Sequence, residues 1–268
     1  MHTRVVQDKE GVITAFNTDD RIFLGEGLFE TLRVENAQPC FSQLHWGRLS
    51  RSAEELGIAF ELSYEDWLDH LIQKIRNDNL YNGGIKVILT GGSAPRGLTQ
   101  RGKVSQLILQ TFNYTLQTHP LKLITAKWLR DSSNPVYKIK SINYLEAIIA
   151  RSQATNADAE DVLFFNTQNC ATETTCANVF IVKEGTVFTS QIEDGVLAGI
   201  TRSRVLHACK VHKIPHYEHS LDKQMLEQAD AMFITNSLQG IRVVRSLDQI
   251  VYQLKHPLVE RLISALSV

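Results

Sequence analysis

The chain has 268 residues, of which 43% are hydrophobic and 21% charged. That composition excludes wholesale disorder and a coiled coil, and it fits one large or two modest domains with buried cores. Lys and Arg number 28 against 29 Asp and Glu, a formal net charge of -1, so the charge balance points neither to nucleic acid nor to a membrane surface.

Four cysteines, at 40, 170, 176 and 209, form no C-x-x-C pair and read as reduced thiols of a cytoplasmic protein. The start, Met1 to Gly11, has no apolar run of the kind a secretory leader carries, and no stretch approaches the ~18 apolar residues of a spanning helix.

Val5 to Phe16 and Leu28 to Val34 read as strands, joined through Gly25 and Gly27. Gln43 to Leu56 reads as a helix. Ser63 to Asn77 is a better one, because Ser63 and Asp66 resemble a capping box and Trp67, Leu68, Leu71, Ile72 and Ile75 fall on one face. Strands follow at Ile85 to Thr90 and Ser105 to Phe112, separated by a glycine-rich loop, Gly91 to Gly97. The polar stretch Asn113 to Pro120 is the candidate linker, dividing a smaller N-terminal domain (1–116) from a larger C-terminal one (117–268).

Beyond it, Leu121 to Lys127 reads as a strand. Asn143 to Thr155 has helical spacing, with Leu145, Ile148, Ile149 and Ser152 near one face. Strands are expected at Val162 to Phe165, turning through Asn166 to Asn169, and at Asn178 to Lys183 and Val187 to Ser190. Helices are expected at Ile200 to Val211, Leu221 to Gln228 and Pro257 to Leu266. The order is α+β rather than a strict βαβ alternation.

Few residues declare chemistry on their own. His212, His216 and His219 straddle Pro215, which breaks any common helix face, and they read as solvated or core histidines rather than a metal site. The chain has no G-x-S-x-G elbow, no G-x-G-x-x-G and no G-x-x-x-x-G-K-[ST]. Gly199-Ile200-Thr201 opens a helix, where free N–H groups and the helix dipole favour an anion. The polar turn after Phe233, through Thr235 to Ser237, offers hydroxyls to the same anion. Lys140, at a strand end, reads as a solvated edge residue, and Glu173 reads equally well as a solvent-facing strand charge.

Five segments, in order, resemble the fold type IV pyridoxal-phosphate enzymes: branched-chain aminotransferases, D-amino acid transaminases and aminodeoxychorismate lyases. Asp20 to Arg33 is similar to their N-terminal glycine turn and strand. His45-Trp46-Gly47-Arg48-Leu49 is similar to their H-x-x-R-L helix, and Lys140 to Tyr144 to their cofactor-lysine segment. Thr172 to Phe180 matches T-E-x-x-x-x-N-x-F, and Leu197 to Arg202 matches L-x-G-[IV]-T-R.

The resemblance implies a two-domain α+β fold with pyridoxal 5'-phosphate at the domain interface, usually in a homodimer. It implies that Lys140 is the covalent anchor and the base. Glu173 would face the pyridine nitrogen, and Leu197 would pack under the ring. Arg48 would hold the phosphate as a bidentate fork, with the amides of Ile200 and Thr201 and the hydroxyl of Ser237.

Within the family, Leu28 to Val34 and the loop Gly91 to Gly97 resemble the lyase members more than the transaminases. The activity then implied is release of pyruvate from 4-amino-4-deoxychorismate to leave 4-aminobenzoate, a step of folate biosynthesis. Phe29 and Arg96 would contact the small-molecule substrate, and the Thr31 hydroxyl would position the departing group. The loop departs from the lyase pattern at Gly91 and Leu98. The alternative is a branched-chain or D-amino acid aminotransferase of the same fold.

Overall fold

The structure, a computed structural model, describes residues 2–7 and 20–266. The chain divides into two compact units, Met1–Leu116 with Ile139–Asn143, and Gln117–Lys138 with Tyr144–Val268. The segment carrying Lys140 thus groups with the first unit although it follows the irregular stretch 113–120.

The first unit is built on β1 (His2–Gln7), β2 (Gly27–Glu35), β3 (Gln38–Pro39), α1 (Ser42–Leu56), α2 (Tyr64–Asn77), β4 (Gly83–Thr90) and β5 (Val104–Phe112). The strands form one sheet in the order β1-β5-β4-β2-β3, with β1 parallel to β5 and the rest antiparallel. Of the strand expected over Val5 to Phe16, residues 5–7 lie in β1 and the remainder lies outside the described residues.

Alternation along β2 puts Leu28, Leu32 and Val34 against Leu49 and Ala53 of α1 and Trp67, Leu71 and Ile75 of α2. Each such side chain, once buried, contributes roughly 1.5–3 kcal/mol. The start of α2 follows the expected capping: Ser63 Oγ accepts from the Asp66 N–H at 3.1 Å.

The second unit contains β6 (Leu121–Arg130), α3 (Leu145–Asn156), β7 (Asp161–Asn166), β8 (Ala171–Thr174), β9 (Asn178–Lys183) and β10 (Thr186–Thr189). It continues with α4 (Ile200–Val211), β11 (His216–Glu218), α5 (Lys223–Glu227), β12 (Ala231–Asn236), β13 (Gly240–Leu247), β14 (Ile250–Val251) and α6 (Pro257–Leu266).

The path β9-β12-β13-β6-β7-β8 closes on itself through one pair, Glu173 with Asn178, making a barrel. Its interior is filled by Leu121, Leu163, Val179, Ile181, Met232, Ile234 and Val244. The outward residues Phe180 and Phe233 stack on each other and are covered by α4 and α6 through Val205, Cys209, Val259 and Leu262. Strands with both faces covered read as unbroken apolar runs, as in Val162 to Phe165.

The apolar face expected for α3 exists but is turned outward: Leu145, Ile148 and Ile149 are 69%, 63% and 48% exposed. The helix packs on Val162 and Phe164 through Ala150 and Ala154, whose small side chains let it lie close to the strands. Among the described residues no helix is long and apolar enough to cross a membrane.

Candidate active site

The Lys140 segment is fastened to β2 by its backbone. The Phe29 N–H donates to the Lys140 carbonyl at 3.0 Å, and the Ile142 N–H donates to the Gly27 carbonyl at 3.0 Å. Asn143 completes the attachment, its Nδ2 donating to the Gly25 carbonyl at 2.9 Å. Gly25 has φ +76°, a conformation that favours glycine, and a Cβ there would sit 2.2 Å from Asn143 Oδ1 and displace that amide. Lys140 Nζ lies 4.1 Å from the centre of the Phe29 ring, and Lys86 Nζ reaches the same ring at 5.1 Å. Thr31, half-buried, shares that face of β2 by alternation and stands opposite Lys86 in the ladder.

The other face of β2 carries Glu30, a carboxylate in phase with Leu28, Leu32 and Val34 and only 1% exposed. Two residues of α1 meet it. Arg48 donates through Nε to Oε1 at 2.7 Å and through Nη2 to Oε2 at 2.6 Å, while His45 Nδ1 lies 2.6 Å from Oε2. Burial pushes the Glu30 carboxyl up, but the charge and hydrogen bonds of Arg48, joined by His45, outweigh it and hold the group at about 2. Burial pushes the His45 imidazole below its ordinary value despite the pull of Glu30, so the ring is neutral and its Nδ1–H donates to the carboxylate. The Nε/Nη2 fork of Arg48, expected to grip a phosphate, is therefore engaged by Glu30.

Arg96 is exposed in the loop after β4 and lines a cavity of about 380 Å3 with Asp20, Arg21, Phe23 and Leu24. Arg21 is buried, ion-paired with Glu26, and donates to the Gly97 carbonyl at 2.7 Å. Leu98 is 78% exposed.

In the second unit the barrel-closing pair is itself the candidate acid site. The Leu197 N–H donates to Glu173 Oε2 at 3.1 Å, and Asn178 Nδ2 lies 3.4 Å from the same oxygen. Asn178 Nδ2 also donates to the Leu197 carbonyl at 2.9 Å. A Cβ on Gly199 would meet Asn178 Oδ1 at 1.9 Å, so a larger residue there would have to displace the Asn178 amide from its place beside Glu173 and Leu197. Arg130, 5% exposed, donates from Nη1 to Glu173 Oε1 at 3.3 Å and from Nη2 and Nε to Glu146 at 2.9 and 3.1 Å. Its guanidinium carbon lies 3.5 Å from the centre of the Phe164 ring.

Helix α4 begins at Gly199 without a side-chain cap, and Ile200 and Thr201 in its first turn are buried. Thr235 is paired with Asn178 in the β9–β12 ladder and shares the face on which Phe180 and Phe233 lie beneath α4. Its hydroxyl is buried with no hydrogen-bond partner among the described residues. Ser237 follows in the turn after β12 and is half-buried. The structure thus gathers Glu173, Leu197, Asn178 and the α4 start in one unit, and Lys140, Phe29, Glu30 and Arg48 in the other.

Sequence reasoning did not assign a role to Glu30, His45, Asn178 or Arg130, whereas Thr235 lies in the turn whose hydroxyls it offered to an anion. For Glu30 the signal was available: a carboxylate in the core phase of an otherwise aliphatic strand demands a buried cation.

The amino-transferase class IV family matches residues 27–247, and the chain belongs to that family. Its aminotransferase and lyase members are pyridoxal-phosphate enzymes. A crystal structure of a Legionella pneumophila protein, provisionally assigned as a 4-amino-4-deoxychorismate lyase, is 56% identical. It covers 100% of this chain and 99% of its own at a TM-score of 0.96. A provisionally named branched-chain-amino-acid aminotransferase of Methanocaldococcus jannaschii is 29% identical over 254 residues, 92% of this chain and 87% of that protein. A D-alanine aminotransferase of Bacillus licheniformis is 29% identical over 243 residues, 87% of this chain and 83% of that protein.

Proposed function

We propose that the chain binds pyridoxal 5'-phosphate and converts 4-amino-4-deoxychorismate to 4-aminobenzoate and pyruvate. The observation that carries this reading is the 56% identity, over the whole chain, to the Legionella protein assigned as that lyase.

The residues fit the cofactor on their own chemistry. A buried, unpartnered Thr235 hydroxyl on the face beneath α4, and the uncapped N–H groups at the α4 start, suit a phosphate dianion, with Ser237 in the following turn. Glu173, held as an acceptor by the Leu197 amide, Asn178 and Arg130, suits a protonated pyridine nitrogen, with Leu197 under the ring. Lys140 supplies an amine for the aldehyde, and Arg48 adds positive charge for the phosphate.

When bound, the cofactor provides an electron sink for the carbanion formed at the amine-bearing carbon. The Lys140 amine takes the proton from that carbon. The carbon–oxygen bond to the enolpyruvyl group then breaks, the ring becomes aromatic, and the departing enol takes a proton and becomes pyruvate. Aromatisation drives the step, so no second keto acid is consumed. The Thr31 hydroxyl, on the Lys140 face of β2, positions the leaving oxygen. The Phe29 ring backs the lysine, and Arg96 binds a substrate carboxylate.

The outward apolar face of α3, Leu145, Ile148 and Ile149, supports a homodimer.

Incubation with 4-amino-4-deoxychorismate and no keto acid tests the reading. Equal yields of 4-aminobenzoate and pyruvate are expected. The relatives 29% identical to this chain are aminotransferases, which gives the second reading. Amino transfer from branched-chain or D-amino acids to 2-oxoglutarate, with no 4-aminobenzoate formed, would replace the lyase by a transaminase.

A further inference from the structure

Asn178 stands where the barrel closes. Its backbone pairs with Glu173, the pair that joins β8 to β9, and the residue is 6% exposed. Its Nδ2 donates to the Leu197 carbonyl at 2.9 Å and lies 3.4 Å from Glu173 Oε2. Both of these neighbours are acceptors, so only the nitrogen of the amide can face them, and its orientation is fixed. The other end of the amide, Oδ1, lies against Gly199, where a Cβ would come within 1.9 Å.

The Leu197 N–H donates to the same carboxylate oxygen, Glu173 Oε2, at 3.1 Å. Asn178 is thus one donor to Glu173 and the tether of another, because it holds Leu197 by its carbonyl. Arg130 Nη1 meets the other oxygen at 3.3 Å, but that guanidinium is shared with Glu146. Loss of the Asn178 amide therefore loosens two donors at once. Every residue of this arrangement belongs to the second unit.

We propose that Asn178 is a positioning residue for the pyridine end of the cofactor: it binds Leu197 and Glu173 together and so aims the carboxylate at the ring nitrogen. The inference rests on the reading above in which Glu173 faces that nitrogen, and Asn178 acts through Glu173. The same bonds help to close the barrel, so a purely structural role is the competing explanation, and the two are separable by ligand.

The test compares two ligands on the full-length apo-protein: pyridoxal 5'-phosphate, and 1-deazapyridoxal 5'-phosphate, in which C–H replaces the ring nitrogen. Aldehyde and phosphate are common to both, so the ratio of the two Kd values isolates the nitrogen. Glu173→Gln should reduce the preference for pyridoxal 5'-phosphate, which checks the underlying reading. Asn178→Ala should raise the Kd for pyridoxal 5'-phosphate about three- to tenfold, the worth of one ordinary hydrogen bond, and leave that of the analogue at the wild-type value. Added to Glu173→Gln, it should lower the preference no further. Where Asn178→Ala fails to fold, Gly199→Ala, whose Cβ displaces the same amide, carries the test. Equal weakening of both ligands, unchanged affinity for both, or a further loss of preference in the double variant overturns the positioning role and leaves the cofactor reading standing. No preference in the wild type, or one that Glu173→Gln does not change, overturns the Glu173 reading and the proposal with it.

Discussion

Glu30 and Glu173 are two strand carboxylates screened from water and held in opposite ways. Glu30 is gripped tightly: Arg48 and His45 close on it at 2.6–2.7 Å and hold its carboxyl at about 2. Glu173 is held at 3.1–3.4 Å by a backbone amide, the Asn178 side-chain amide and one edge of Arg130, and its side chain keeps 15% exposure. Short bonds from a buried guanidinium and imidazole make a fixed structural charge. Longer bonds from donors that are themselves anchored leave a carboxylate aimed and still partly exposed. The difference teaches that burial alone does not mark a functional acid; three donors meet each carboxylate, and what separates the two is the length of the bonds and the exposure that remains.

The sharpest way to break this comparison is to neutralise each acid in turn. Glu30→Gln leaves Arg48 buried without its counter-charge, and unfolding of the apo-protein in urea should show a loss of about 3–5 kcal/mol. A loss below about 1 kcal/mol would place Glu30 among ordinary strand residues. Glu173→Gln should keep the fold and lower turnover about 10²–10³-fold, because a preorganised charge is lost. Pyruvate release measured on fully loaded protein checks this. An equal fall in stability and in activity would erase the contrast.

Arg130→Met keeps an unbranched side chain against Phe164 and removes the bonds to Glu173 and Glu146. With Glu173 still in place but less firmly aimed, turnover should fall about tenfold, roughly the worth of one charge-assisted bond. Arg130→Lys should recover part of it.

The smallest effect is the pH dependence of apo-protein stability. His45 has a folded pKa below its unfolded value of 6.5, so the unfolded chain binds the extra proton first and stability falls as the pH drops below 6.5. Glu30, depressed from 4.5 to about 2, contributes fully above pH 4.5 and loses its contribution as the pH falls towards 2. Thermal melts between pH 7.5 and 5.0 should therefore show a decline in wild type that His45→Asn flattens. Equal slopes would remove the imidazole from the account.

The periodic elements were legible in the sequence because their signals are local. The Ser63 cap, the Trp67–Leu71–Ile75 face, α4 from Ile200 to Val211 and α6 from Pro257 to Leu266 all fall where the pattern puts them. Ala171–Thr174 and Gly240–Leu247 were not assigned as strands, because β8 is four residues long and β13 carries Arg242 and Arg245 among its aliphatics. The face of α3 was legible but not its direction: periodicity locates an apolar stripe without saying whether this chain covers it. Lys140 and Glu173 stood out only through resemblance, since a lone lysine at a strand end looks the same solvated or functional. Asn178 was hidden because a single polar residue in a strand gives no sign of what it faces until the β9–β12 ladder pairs it with Thr235.

The central claim is that pyridoxal 5'-phosphate is anchored on Lys140, and borohydride reduction of the loaded protein followed by peptide mapping tests it most directly. The account predicts an irreversible label on Lys140 alone, absent from Lys140→Ala. A label on the exposed Lys138, or protein that takes up no label at all, would contradict it.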